Sequence, residues 1–161
     1  MATPALDTNV GLRTGDSSDL DDVMRVMDAA FGERFGEAWT RSQCAGILPM
    51  AGVRLVVARD TDTLEAIGFS LSRTVMDEAE LLLLGVLPER HRQGVGSRLL
   101  EDFVHRSRVQ GATRVHLEVR DGNPAVSMYR DAGFSPVGRR RNYYQAPDGQ
   151  RFDALTLLQE I

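Results

Sequence analysis

DEAELLLLGVLPERHRQGVGSRLLE, residues 77–101, changes character halfway along. Glu80 to Val86 is a short apolar run bounded by turn residues, which reads as a strand. A loop, Leu87 to Gln93, then leads into Gly94-Val95-Gly96 and a helix whose Leu99, Leu100, Phe103 and Val104 recur on one face. Val115-His116-Leu117-Glu118-Val119 follows as the next strand. Strand, helix and strand in that order make a crossover unit, so part of the sheet should be parallel.

Working back from this unit, Val53 to Ala58 and Ala66 to Ser72 are two further strands, joined by turns short enough for antiparallel hairpins. A helix carries Leu20, Val23, Met24, Met27 and Phe31 at helical spacing with Asp16 as its cap, and a second helix is expected over Glu37 to Leu48. A short strand around Val10 to Arg13 opens the pattern. Working forward, Asn123-Pro124 starts a short helix, with Asn as cap and Pro at the first helical position, and Gly133 ends it. Phe134 to Tyr144 and Phe152 to Gln159 flank Pro147-Asp148-Gly149 as a closing hairpin. The class is α/β with a mixed sheet, organised as one domain over residues 1–161 with residues 1–8 expected to be flexible.

Composition narrows the function. The chain has 161 residues, 42% of them hydrophobic and 26% charged, and no apolar run long enough for a membrane span. A formal net charge of −4 argues against nucleic acid as the main partner. All 19 basic residues are arginine, which leaves no lysine for Schiff-base chemistry. Cys44 is the only cysteine and reads as a small core residue, and His91, His105 and His116 lack the spacing of a metal site, so no metal is expected. The start of the chain has no basic segment followed by an apolar one, which suggests a cytoplasmic protein.

Gly94 and Gly96 stand where a loop enters a helix, so N–H groups can converge there on an anion, and phosphate is the natural candidate. Arg92 adds positive charge, and Gln93 and Ser97 add hydrogen-bonding groups. A dinucleotide site of the Rossmann type is the rival reading. It would place its first glycine in the turn directly after the strand, whereas seven residues separate Val86 from Gly94, and its third glycine falls on Leu99.

Three stretches carry a family resemblance: residues 77–101, LEVRDGNPAVSMYRDAGF from Leu117, and GRRRNYYQAPDGQRFDALTL from Gly138. On them the chain resembles the GNAT acyltransferases, and within these the RimI group, which acetylates the N-terminal alanine of a small-subunit ribosomal protein. The resemblance implies a mixed, V-shaped sheet of about seven strands flanked by about four helices, with acetyl-CoA as the acetyl donor lying in the opening. It implies that the backbone of Leu84, Gly85 and Val86 holds the pantetheine arm, that Arg92, Gln93, Gly94, Val95, Gly96 and Ser97 cradle the pyrophosphate, and that Asn123 bonds the cofactor arm. The sequence departs from the family in two places: His91 stands where Gln or Arg is usual, and the Asn123 to Tyr129 interval is one residue short.

Acetyl transfer to an amine needs a neutral nitrogen, oxyanion stabilisation and a proton for the departing thiolate. By the resemblance Glu118 is the base and Tyr129 the proton donor, a phenol being protonated at pH 7. Read without the resemblance, Glu118 is a solvated or Arg120-paired carboxylate, Tyr129 a packed aromatic and His116 a structural histidine. Tyr143, Tyr144 and Arg141 are expected to grip an acceptor peptide on a protruding hairpin, or else to guard an exposed strand edge. Glu33, Glu37 and Asp77 to Glu80 suggest an acidic rim for a basic ribosomal tail. Acceptors other than the ribosomal terminus, namely another protein N-terminus or a small amine, and a non-catalytic CoA-binding module remain as alternatives at this point.

Overall fold

The structure is a computed structural model that describes residues 9–161; the stretch expected to be flexible, residues 1–8, lies outside the described residues. Seven strands form a single sheet: β1 (Val10–Gly15), β2 (Val53–Asp60), β3 (Ala66–Val75), β4 (Glu78–Val86), β5 (Arg114–Arg120), β6 (Ser135–Gln145) and β7 (Arg151–Glu160). Their spatial order is β1-β2-β3-β4-β5-β7-β6. β1 to β4 are antiparallel, β4 and β5 are parallel, and β5, β7 and β6 are antiparallel again, which is the mixed sheet the crossover required.

Among the described residues four α-helices flank the sheet: α1 (Leu20–Phe31), α2 (Arg41–Ile47), α3 (Val95–Val109) and α4 (Val126–Asp131). Two of them start differently from the sequence reading. α2 begins at Arg41, not Glu37, because Thr40 and Gln43 form a reciprocal cap: Thr40 Oγ1 accepts the Gln43 N–H at 3.2 Å and Gln43 Oε1 accepts the Thr40 N–H at 2.8 Å. Residues 32–40 are thereby freed from helix. α4 begins at Val126, because the Asn123 side chain accepts the Ala125 N–H at 2.9 Å and closes a turn ahead of the helix. Asp16 caps a short 3-10 turn, Ser17–Asp19, that leads into α1, and not α1 itself, whose N-cap position is Asp19.

α1 and α3 cover opposite faces of β3 and β4. Gly85 faces Phe69, Phe31 and Ala30 on the α1 side, while Gly68 faces Val95 and Leu99 on the α3 side. β3 is accordingly buried from Ala66 to Ser72 on both faces. The core divides into two clusters. One gathers Val26, Met27, Ile67, Phe69 and Leu99 under β1 to β4, and the other gathers Leu100, Phe103, Leu117, Tyr129 and Leu157 around β5. β4 belongs to both, with Ala79 and Leu81 in the second cluster and Leu83 and Val86 in the first.

That division falls at an irregularity. Leu71 pairs with Leu83 and Ser72 with Leu81, so Leu82 is an extra residue on β4, a bulge that bends the strand. The parallel ladder between β4 and β5 runs only from Glu78–Arg114 to Leu81–Leu117 and stops at the bulge. Beyond it the two strands separate, and the opening between them is the candidate site.

Candidate active site

The opening is a solvent-connected cleft lined by Phe31, Glu37, Leu82, Leu84, Glu118, Asn123, Tyr129 and Tyr144, among others. One wall is the unpaired stretch of β4, where alternate backbone N–H and C=O groups point across the gap. The other wall is the end of β5 with α4.

At the mouth of this cleft stands the α3 N-terminus. Gly94 takes a left-handed conformation, φ +83°, and no side chain among the described residues caps the helix, so the N–H groups of Val95, Gly96 and Ser97 project outward. This uncapped helix start is suited to a phosphate. The Val95 side chain is buried in the core and contributes only its backbone. Gly96 has a packing reason as well, since a Cβ there would press on Met128 Sδ at 3.1 Å and push α4 away. His91 does not face the anion position; its Nε2 lies 3.1 Å from the Val86 carbonyl oxygen and ties the loop to the end of β4. The Val86 carbonyl is therefore already engaged. Gln93 Nε2 likewise donates to Glu89 O at 3.3 Å.

Glu118 projects from β5 on the same face as His116. Its carboxylate is paired, and the partner is Arg140, not Arg120: Arg140 Nε donates to Oε1 at 2.8 Å, and Thr156 Oγ1 donates to Oε2 at 2.7 Å. Arg120 goes instead to Glu37, with Nε donating to Oε1 at 3.1 Å. Glu37 is not a rim residue. Its side chain is 10% exposed, and its second oxygen accepts from Asn123 Nδ2 at 3.0 Å. Asn123 thus gives its amide to Glu37 and its carbonyl oxygen to the Ala125 N–H.

Tyr129 is buried in the second core cluster and reaches the cleft; burial, aided by the Glu37 charge, pushes its phenol above the ordinary range, so the proton stays on oxygen. Tyr144 also lines the cleft, its hydroxyl 3.4 Å from the Glu118 carbonyl oxygen, and burial raises its pKa in the same way. Tyr143 and Arg141 do not line the cleft, although the Tyr143 ring meets Tyr144 edge-on at 4.9 Å. Both are exposed, because the β6–β7 register shifts between Arg140 and Tyr144, and Asn142 there has φ +54°. The sequence reading named Arg120 as the possible partner of Glu118, where the structure sets Arg140 and Thr156. Among the described residues no cluster of His, Cys, Asp and Glu is arranged to hold a metal, and no helix is long and apolar enough to cross a membrane.

A sheet parted at a bulge, with an uncapped helix start beside the gap and a carboxylate and a phenol inside it, defines a site of the acyl-transfer kind. Residues 20–134 match the acetyltransferase (GNAT) family, and the chain belongs to that family. Among curated proteins it is similar to the ribosomal protein bS18-alanine N-acetyltransferase of Haemophilus ducreyi, 32% identical over 141 residues that make up 82% of this chain and 97% of that protein. It is also similar to the enzyme so named in Escherichia coli K12, 38% identical over 94 residues, 58% of this chain and 63% of that one. The crystal structure of the Escherichia coli ribosomal-protein-S18-alanine N-acetyltransferase superposes with a TM-score of 0.83 at 27% identity, covering 94% of each chain. The shared mixed sheet with its flanking helices is the fold expected from residues 77–101.

Proposed function

We propose that this chain transfers the acetyl group of acetyl-CoA to a protein N-terminal amine in the cytoplasm, with the alanine terminus of a small-subunit ribosomal protein as its acceptor. The observation that carries the proposal is the near full-length similarity to a bS18-alanine N-acetyltransferase, joined to a cleft that holds a carboxylate and a phenol together. Acetyl-CoA supplies the acetyl group as a thioester. Leu84 and Gly85 offer backbone along the unpaired β4 edge, Val86 contributes its position at the end of that edge, and the 92–97 loop with the α3 N-terminus offers donors and charge for phosphate.

In the proposed reaction Glu118 takes a proton from the acceptor ammonium, leaving nitrogen able to form the new N–C bond as the C–S bond breaks. Nitrogen sheds two protons in all: Glu118 passes one to solvent, Tyr129 gives its own proton to the departing sulfur, and the second proton from nitrogen restores the Tyr129 phenol. The raised pKa of Tyr129 keeps that proton available over the whole working range. In this reading Tyr144, beside Glu118, contacts the first residue of a peptide.

Mass spectrometry of acetyl transfer to a synthetic peptide bearing the ribosomal alanine terminus tests the reading against a panel of small amines. The expected result is acetylation of the peptide α-amine, slowed about 100-fold or more in Glu118→Gln and in Tyr129→Phe. Transfer to small amines alone would refute the peptide assignment, and transfer undiminished in both variants would refute the assigned roles.

A further inference from the structure

The loop from Leu87 to Gly94 ends in the anion cradle, and its path is fixed from behind. At its start the Leu87 N–H donates to the Ile67 carbonyl at 2.9 Å, which carries the β3–β4 pairing one bond past Val86. A 3-10 turn, Pro88–Arg90, follows, and from it Arg90 reaches back to β2, where its Nη2 donates to Asp60 Oδ2 at 2.7 Å. The loop then closes with two left-handed residues, Arg92 at φ +63° and Gly94 at φ +83°. Backbone N–H groups gathered by such a turn form a concave anion site. A left-handed arginine, however, persists only where its surroundings hold it.

Asp60 is itself held. It ends β2, its Oδ1 accepts the N–H groups of Asp62 at 2.8 Å and Thr63 at 3.2 Å, and its own N–H donates to the Glu65 carbonyl at 2.9 Å. The β2–β3 turn is thus wrapped around the carboxylate. The Asp60 side chain is 9% exposed and that of Arg90 24%, so the pair has a fixed geometry that a loose surface contact lacks. We infer that Asp60, which lines no part of the cleft, is a positioning residue for the pyrophosphate of CoA: acting through Arg90, it sets the loop so that Arg92 and the α3 N-terminus meet the anion. This inference rests on the acetyl-CoA reading above. Arg90 is committed to Asp60, and Arg92, which is exposed, is the arginine of the loop left to meet phosphate.

The test is a double-mutant cycle with Asp60→Asn and Arg90→Gln. Asp60→Asn keeps an oxygen for the turn N–H groups and removes the charge that holds Arg90; Arg90→Gln weakens the same link from the exposed side and carries the test if Asp60→Asn does not fold, as thermal melts will tell. The Kd of CoA is read by calorimetry, and acetyl-CoA is compared with S-acetylpantetheine, which lacks the pyrophosphate, as donor. The expected outcome is CoA Kd and acetyl-CoA KM raised about tenfold in each single variant, no further rise in the double variant, and kcat at saturating acetyl-CoA and turnover of S-acetylpantetheine both within about twofold of wild type. Arg90→Lys, which keeps the charge, should restore CoA binding to within about threefold. CoA affinity unchanged in both single variants would overturn the inference, as would an equal loss with S-acetylpantetheine, which would make the pair a general support of the fold. A wild type that binds no CoA refutes the acetyl-CoA reading and this inference with it, whereas normal wild-type binding with silent variants refutes this inference alone.

Discussion

Two carboxylates line the cleft, each with its own arginine, and the pairs differ in whether the cation reaches water. Glu37 and Arg120 are both 10% exposed, with Phe35 over the guanidinium and Asn123 on the second oxygen. Glu118 is equally enclosed, at 9%, but its partner Arg140 is 62% exposed and comes from an edge strand. A buried pair that loses one member strands a charge, whereas an exposed arginine can turn to solvent at little cost. The first pair is therefore built to stay closed and the second to open. Glu118 is the carboxylate more readily handed to an incoming ammonium group, which accords with the role proposed for it.

The comparison breaks most visibly in stability. Glu37→Gln leaves Arg120 buried without a counter-charge and is expected to cost about 3 kcal/mol in chemical denaturation. Glu118→Gln, whose arginine is free to move into water, should cost under about 1 kcal/mol while abolishing most turnover. If the two stabilities came out reversed, the division of labour between the carboxylates would be wrong. A smaller effect sharpens the same point: Arg140→Ala should leave stability within about 0.5 kcal/mol and raise acceptor kcat/KM about threefold, because the acceptor ammonium no longer competes with a guanidinium for Glu118. Steady-state kinetics at low ionic strength would read it, and a fall in kcat/KM would mean that Arg140 holds the carboxylate in place for catalysis instead of lending it.

The two pairs also mark where sequence reading succeeds and where it stops. The β4–loop–α3 unit was legible because its signals are local: an apolar run, then glycine, then a helical period, all within residues 77–101. The roles proposed for Glu118 and Tyr129 rest on the family resemblance, because a strand glutamate and a helix tyrosine are ordinary residues alone. Glu37 was read as a rim charge, and nothing near it corrects that, since its partners Arg120 and Asn123 lie 83 and 86 residues away. Arg140 was passed over for Arg141 within a run of three arginines. The register shift after Arg140 and the positive φ of Asn142 decide which of them turns toward Glu118, and a one-residue slip on a strand reverses the face. The α2 start was misjudged for the opposite reason, because the Thr40-x-x-Gln43 cap was present in the sequence and outranked the general helical propensity of residues 37–40.

A third pair on the same face of β5 extends the comparison to a cation that titrates. His116 Nε2 stands 3.7 Å from Glu80 Oε2, with side chains 26% and 38% exposed, and the interaction with Glu80 leads the causes that raise the histidine pKa, ahead of opposing desolvation and the charges of Glu78 and Glu118. A histidine whose folded pKa lies above its unfolded value of about 6.5 contributes stability that is complete below about 6.5 and is lost as pH rises through the folded value. Given the exposure of both partners, the contribution is expected to be about 0.5 kcal/mol or less. Denaturation midpoints measured from pH 6 upward should therefore decline slightly in the wild type and stay flatter in Glu80→Gln. An equal decline in both would show that the pair is loose in solution, and that of the three carboxylates only Glu37 and Glu118 are firmly held.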